Sequence, residues 1–217
     1  MRIYHFLSTE HAINNLALER MKVARYSDLN DPFELMAAEL SNKELRRAVS
    51  TLKNEFHKNR GLLCFSKSWH NPVLWSHYAD KHRGVALGFD VNDEYVANIK
   101  YSDNRLLVKF KNGQQRNELD SNFVNDLICT KYQHWDYEEE VRLHIDIKDS
   151  QNEGGLIFTE FEDVGIELKE VILGHSCEVT IDKIRKLVSV NYDNIEVIKA
   201  RLAFRDFTVV IDHSLAK

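Results

Sequence analysis

The chain has 217 residues, 43% of them hydrophobic, two prolines, eight glycines and a formal charge of −5, which suits one globular domain over residues 1–217 with a sizeable core and no long linker. Acidic and basic residues are interspersed, which argues against broad phosphate-backbone binding, and Cys64, Cys129 and Cys177 lack the paired spacing of a disulfide framework or a cysteine zinc site. No stretch approaches the ~18 apolar residues of a membrane span, and the start MRIYHFLSTEHAINN is too polar for a signal peptide, so no membrane association and a cytoplasmic location are expected.

RIYHFL at 2–7 reads as a strand, followed by a helix capped by Ser8 or Thr9 and by a second strand KVARYS. NDPFE at 30–34 predicts a helix start, with Asp31 as cap, Pro32 in the first helical position and Glu34 closing the box. Ser41 and Glu44 repeat that logic ahead of a helix whose apolar face is Leu45, Ala48, Val49, Leu52 and Phe56. GLLCFS at 61–66 is an inner strand, and Asn71-Pro72 opens a helix that ends near Gly84 and feeds the strand VALGFDV. A strand ANIKYS and a long helix over 113–134 come next. From Glu138 the sequence alternates, with Val141, Leu143, Ile145 and Ile147 on one side and Glu138, Glu140, Arg142 and His144 on the other. LIFTEF, EVILG, a helix near 181–191, IEVIKARLAF and DFTVVID complete the chain. Strands and helices mix without regular βαβ alternation, which predicts an α+β fold of mixed, mostly antiparallel small sheets with flanking helices.

Three groups could carry chemistry. His70, His77 and His82 invite a metal reading, but His77 and His82 lie about 140° apart on a helix, whereas paired helical ligands sit at i and i+3 or i+4, so no metal is expected. Trp75 and Tyr78 share a helical face and suit either a core or a pocket wall. Glu138 and Glu140, two apart in the expected strand beside Arg142, either hold a fixed cleft that stabilises developing positive charge on a sugar ring or form a solvated outer face. No glycine-rich phosphate loop is present.

The blocks YHF (4–6), NDPFE (30–34), CFS (64–66), WSHYADKHRG (75–84), WDYEEEVR (135–142) and LKEVILG (168–174) resemble a bacterial domain family of unknown function over nearly the whole chain. More distantly, their order is similar to the ADP-ribosyltransferase superfamily, in particular DarT-type toxins and RNA 2′-phosphotransferases. That resemblance implies a split sheet and NAD as substrate. It makes His5 the holder of the adenosine-side ribose, Ser66 or Tyr78 the brace of the nicotinamide ribose or ring, Glu140 the stabiliser of the oxocarbenium ion and Glu138 the group that orients the acceptor. Trp75 and Tyr78 would back the cleft, His82 and Gly84 would shape the turn into the central strand, and Asn30, Asp31 and Arg142 would complete the ligand-binding set. The implied function is an NAD-utilising ADP-ribosyltransferase or NAD glycohydrolase, a toxin or anti-phage effector, with a nucleic-acid or protein acceptor. The alternatives are an inert nucleotide-binding module and a metal-dependent phosphoesterase using His70, His77 and His82.

Overall fold

The computed structural model describes residues 1–108 and 119–215. The chain opens with β1 (Arg2–Leu7), α1 (Thr9–Leu18), β2 (Arg20–Arg25), α2 (Lys43–Asn59) and β3 (Arg60–Ser66). α3 (Pro72–Tyr78), β4 (Val85–Val91), β5 (Ala97–Asn98), β6 (Lys100–Ser102), α4 (Ser121–Ile128) and β7 (Thr130–Tyr132) form the middle. β8 (Glu140–Asp146), β9 (Gln151–Glu153), β10 (Leu156–Glu160), β11 (Ile166–Leu173), α5 (Ile181–Val188), β12 (Glu196–Leu202) and β13 (Val209–Ile211) close it.

This is the expected α+β class, mixed and mostly antiparallel. Eleven strands join in the order β13-β12-β11-β4-β1-β3-β2-β10-β9, with β8 and β5 branching from β3, and β6 pairs with β7 as a small parallel sheet. Within the large sheet β11 and β12 run parallel, joined through α5. The central strands are buried on both faces because their alternation supplies two cores. Ile3 and Leu7 of β1, Leu87 and Phe89 of β4 and Val171 of β11 pack with Ala12 and Leu16 of α1 and Ile184 of α5. Tyr4 and Phe6, Ala86 and Ile172 face the other way, against Trp75.

The sheet forks at β3. One edge of β3 pairs with β8 along its whole length, whereas the opposite edge pairs with β2 at Gly61 and Leu62 and with β1 only at Ser66, opposite Tyr4. α1 connects the two diverging strands. Between them the Cys64 carbonyl is met by an imidazole, with His5 Nδ1 at 2.8 Å. A side chain thus replaces a ladder bond where the strands part.

Several local expectations are corrected. NDPFE is a turn and not a helix start: Asp31 Oδ1 accepts the Phe33 N–H at 2.9 Å, and Leu35 adopts a left-handed φ of 59°, which an α-helix cannot continue through. α2 is capped by Asn42, which accepts from the N–H groups of Glu44 and Leu45, while Ser41 is occupied by Glu39. α3 keeps its Asn71 cap and Pro72 but stops at Tyr78. Asp80, Lys81 and His82 are all left-handed, with φ of 44°, 54° and 67°, so the segment to Gly84 is a tight turn. ANIKYS divides into β5 and β6. The helix expected over 113–134 begins outside the described residues and is replaced further on by α4, β7 and a 3₁₀ helix Gln133–Glu138.

Gly84 is required by space. A Cβ there would lie 2.1 Å from the Leu7 carbonyl oxygen and 2.9 Å from that of Ala79, both backbone atoms that cannot swing aside. Gly84→Ala is expected to destabilise the fold by about 3 kcal/mol, read as a lowered urea midpoint. Gly155→Ala meets nothing within 4 Å and carries only the strain of its φ of 86°. A smaller loss at Gly84 than at Gly155 would contradict the steric account.

Candidate functional site

A cavity of about 210 Å³ opens at the fork. β1 brings Tyr4, His5 and Phe6, β3 brings Cys64, Phe65 and Ser66, and the start of the NDPFE turn brings Asn30. Leu74 and Tyr78 reach it from α3, and Lys131, Glu138, Glu140 and Arg142 form its charged end. Of the residues singled out from sequence, His5, Asn30, Ser66, Tyr78, Glu138, Glu140 and Arg142 therefore share one cavity. Trp75, His82 and Asp31 do not.

Glu138 and Glu140 meet by a route other than strand alternation. Glu138 ends the 3₁₀ helix, Glu139 is left-handed with φ 44°, and only Glu140 belongs to β8. Lys131 draws the two carboxylates together: its Nζ donates to Glu138 Oε2 and, at 3.2 Å, to Glu140 Oε2, while lying 4.7 Å from the Trp135 ring centroid. Arg142 Nε donates to Glu140 Oε1 at 2.7 Å, and its two terminal nitrogens form a fork onto Glu34 at 2.6 and 2.9 Å. Tyr78 donates to Glu138 Oε1 and receives a hydrogen bond from Asn30, and the Glu140 N–H donates to Tyr101 at 2.7 Å. The solvated-face reading of the acidic pair is overturned, because Glu138, Glu140 and Arg142 are 5%, 6% and 1% exposed.

The two carboxylates differ in proton affinity although they share Lys131. Burial raises Glu138, and the opposing attraction of Lys131 and the hydrogen bond from Tyr78 do not cancel it. Burial acts on Glu140 too, but Arg142 and then Lys131 outweigh it and hold the group below its ordinary value. His5 is lowered by desolvation, which the Cys64 carbonyl only partly offsets. Because a carbonyl can only accept, the proton of this neutral imidazole sits on Nδ1, leaving Nε2 as an acceptor. Burial, reinforced by Glu140, pushes the Cys64 thiol well up, so it is not a ready thiolate. Glu34, Glu138 and Glu140 against Lys131 and Arg142 leave one formal negative charge in excess.

Lys131 and Glu34 escaped the sequence reading. No local pattern marks Lys131, which reaches the acids only through the 3₁₀ helix that follows it. Glu34 looked like a helix-box residue, yet an arginine on the inward face of a strand demands an acid from elsewhere in the chain.

The dense block around Trp75 is architectural. Trp75 is fully buried, donates its indole N–H to the Trp69 carbonyl at 2.6 Å, and accepts at its own carbonyl from Ala79 and His82. His82 stacks on Trp75 at 6.3 Å and faces His175. The histidines of the metal reading are not gathered: His70 Nδ1 lies 2.7 Å from the Val209 carbonyl, and His77 lies beside Tyr137. Among the described residues no three His, Cys, Asp or Glu side chains are grouped to hold a metal, and no helix is long and apolar enough to cross a membrane.

Residues 74–143 match the family model described as "Protein of unknown function (DUF2971)", about one third of the chain. That segment contains Tyr78, Lys131, Glu138, Glu140 and Arg142, whereas His5, Asn30, Glu34 and Ser66 lie outside it. No curated protein and no solved structure matches the chain.

Removing Glu34 leaves a buried guanidinium with one acid in place of two. Glu34→Ala is expected to lower stability by about 3–5 kcal/mol, measured by urea denaturation, and a loss below about 1 kcal/mol would mean that water already serves Arg142. The depressed Glu140 gives a pH signature. Its pairing stabilises the fold above the unfolded carboxylate value of 4.5 and is lost as pH falls through the lower folded value. Melting curves of Glu140→Gln should therefore lose part of the acid dependence below about pH 4.5 that the unmodified protein shows.

Proposed function

We propose that the cavity at the fork is an active site for cleaving the nicotinamide N-glycosidic bond of NAD, by transfer of the ADP-ribosyl group or by hydrolysis. The observation that carries this reading is the convergence of two buried carboxylates of divergent proton affinity with a neutral, first-strand imidazole in one cavity. An oxocarbenium-like centre needs a fixed negative charge beside it, and Glu140 is held ionised by Arg142 and Lys131. It needs a base for the incoming nucleophile, and Glu138, with its raised proton affinity, suits that role.

In the proposed reaction the bond between the ribose anomeric carbon and the pyridinium nitrogen breaks, and its electron pair returns to the ring, so that neutral nicotinamide departs. An acceptor or water then bonds to the anomeric carbon and gives its proton to Glu138. His5 Nε2, as an acceptor, takes a ribose hydroxyl, and the rings of Tyr4, Phe6 and Phe65 supply apolar walls. The excess negative charge of the network suits a substrate that enters with a pyridinium cation. A toxin or anti-phage role belongs to the same proposal, supported by the resemblance of the sequence blocks.

The test is nicotinamide release from NAD. Glu140→Gln is expected to lower kcat about 10²–10³-fold, and equal rates in the two proteins would remove Glu140 from the chemistry. The acidic limb of kcat should lie above the usual glutamate range, because Glu138 acts only when ionised and its affinity for the proton is raised. Glu138→Gln should abolish that limb. Stabilisation of the protein by NAD without turnover would instead favour an inert nucleotide-binding module, whose signature is a ligand-dependent Tm alone.

A further inference from the structure

On the far side of Lys131 lies a second cavity, of about 370 Å³, lined by Asp31, Phe33, Met36, Arg105, Lys131 and Tyr132 among others. The NDPFE turn divides its side chains among three destinations: Asn30 faces the first cavity, Asp31 and Phe33 face the second, and Glu34 goes to Arg142.

Two features of this cavity call for a ligand of a particular shape. Asp31 is only 4% exposed, yet its one side-chain hydrogen bond among the described residues is the Phe33 N–H at Oδ1, and no cation among them pairs with it. The second oxygen of that carboxylate carries no hydrogen bond among the described residues and can accept from a ligand in the cavity. Large aromatic rings are normally covered, but Phe33 and Tyr132 are 46% and 45% exposed beside the same space. The cavity therefore joins stacking faces to a buried acceptor pair.

We propose that the second cavity is a nucleobase subsite that selects guanine. A carboxylate accepts two parallel hydrogen bonds from adjacent N–H donors. Among the common bases only guanine presents two on its pairing edge, the ring N1–H and the 2-amino group. Adenine and cytosine place an acceptor beside their amino group, and uracil and thymine place one N–H between two carbonyls. A guanidinium has the same donor pair, but the Arg105 guanidinium already lies 4.9 Å from the Phe33 ring centroid, which disfavours a second cation there. The rings of Phe33 and Tyr132 hold the base by stacking, and Asp31 reads its edge. This subsite stands on its own geometry and does not depend on NAD turnover.

Calorimetric titration of the whole protein with GMP, IMP and AMP, which share sugar and phosphate and differ in the base, tests the assignment. GMP is expected to bind saturably, IMP, which lacks the 2-amino donor, about tenfold more weakly, and AMP more weakly still. Asp31→Asn retains an oxygen for the Phe33 N–H and should abolish the preference for GMP, and Phe33→Ala should weaken all three nucleotides alike. Equal binding of GMP and AMP, no GMP binding at millimolar concentration, or a GMP preference kept by Asp31→Asn would overturn the proposal. If Asp31→Asn does not fold, the three-nucleotide series on the unmodified protein decides. No arm contains NAD, so the outcome is separate from that of the NAD reading.

Discussion

A buried guanidinium at the charged end of the first cavity sets the terms for everything around it. Arg142 is 1% exposed, and a charge in that position persists only if its donors are all met. Glu140, two residues earlier on the same strand face, meets one side, Glu34 meets the other as a fork, and the Ile128 carbonyl takes a further bond at 3.1 Å. The need to reach Arg142 thereby pins the turn after Asn30, the end of α4 and the start of β8 to one another. Lys131 is fixed in turn, because it serves the acid that Arg142 holds.

That constraint places the cavities. Where the turn delivers Glu34 inward, its neighbours must point elsewhere, and Asn30 and Asp31 end on opposite sides of Lys131. Where β8 runs along β3, the free edge of β3 is left to β2 at one end and β1 at the other, and the opening between them is spanned by His5. The first cavity is thus a product of strand topology, and its chemistry is a product of charge pairing. The same pairing separates the two glutamates: Arg142 contacts Glu140 and not Glu138, so burial prevails over attraction at one and loses at the other.

What was legible in the amino-acid sequence was what local pattern determines. β1 and β4 announce themselves as short apolar runs and β8 by alternation, the Asn71-Pro72 start of α3 by its cap, and Glu138, Glu140 and Arg142 by their density. NDPFE misled because Asp followed by Pro is equally the opening of an Asx-type turn, and the residue that decides, Leu35, carries no mark of its left-handed backbone. The Asn42 cap lay one residue from Ser41, a shift within the usual uncertainty of helix ends. Trp75 suggested a ligand wall because aromatic and imidazole groups cluster there, yet it is buried beneath the turn of three left-handed residues in which His82 sits. Lys131 and Glu34 were silent, since their importance arises only from partners seven to 108 positions away.

The fork bears on how the chain can be divided. The stretch from 74 to 143 holds most of the charged end of the cavity, but its two principal strands are hydrogen-bonded to neighbours beyond its limits: β4 to β1 and β11, and β8 to β3. Excised, it would present raw sheet edges and an arginine bereft of Glu34. A piece that matches a family model is, mechanically, only the middle of a structure whose closure waits for strands on both sides of it.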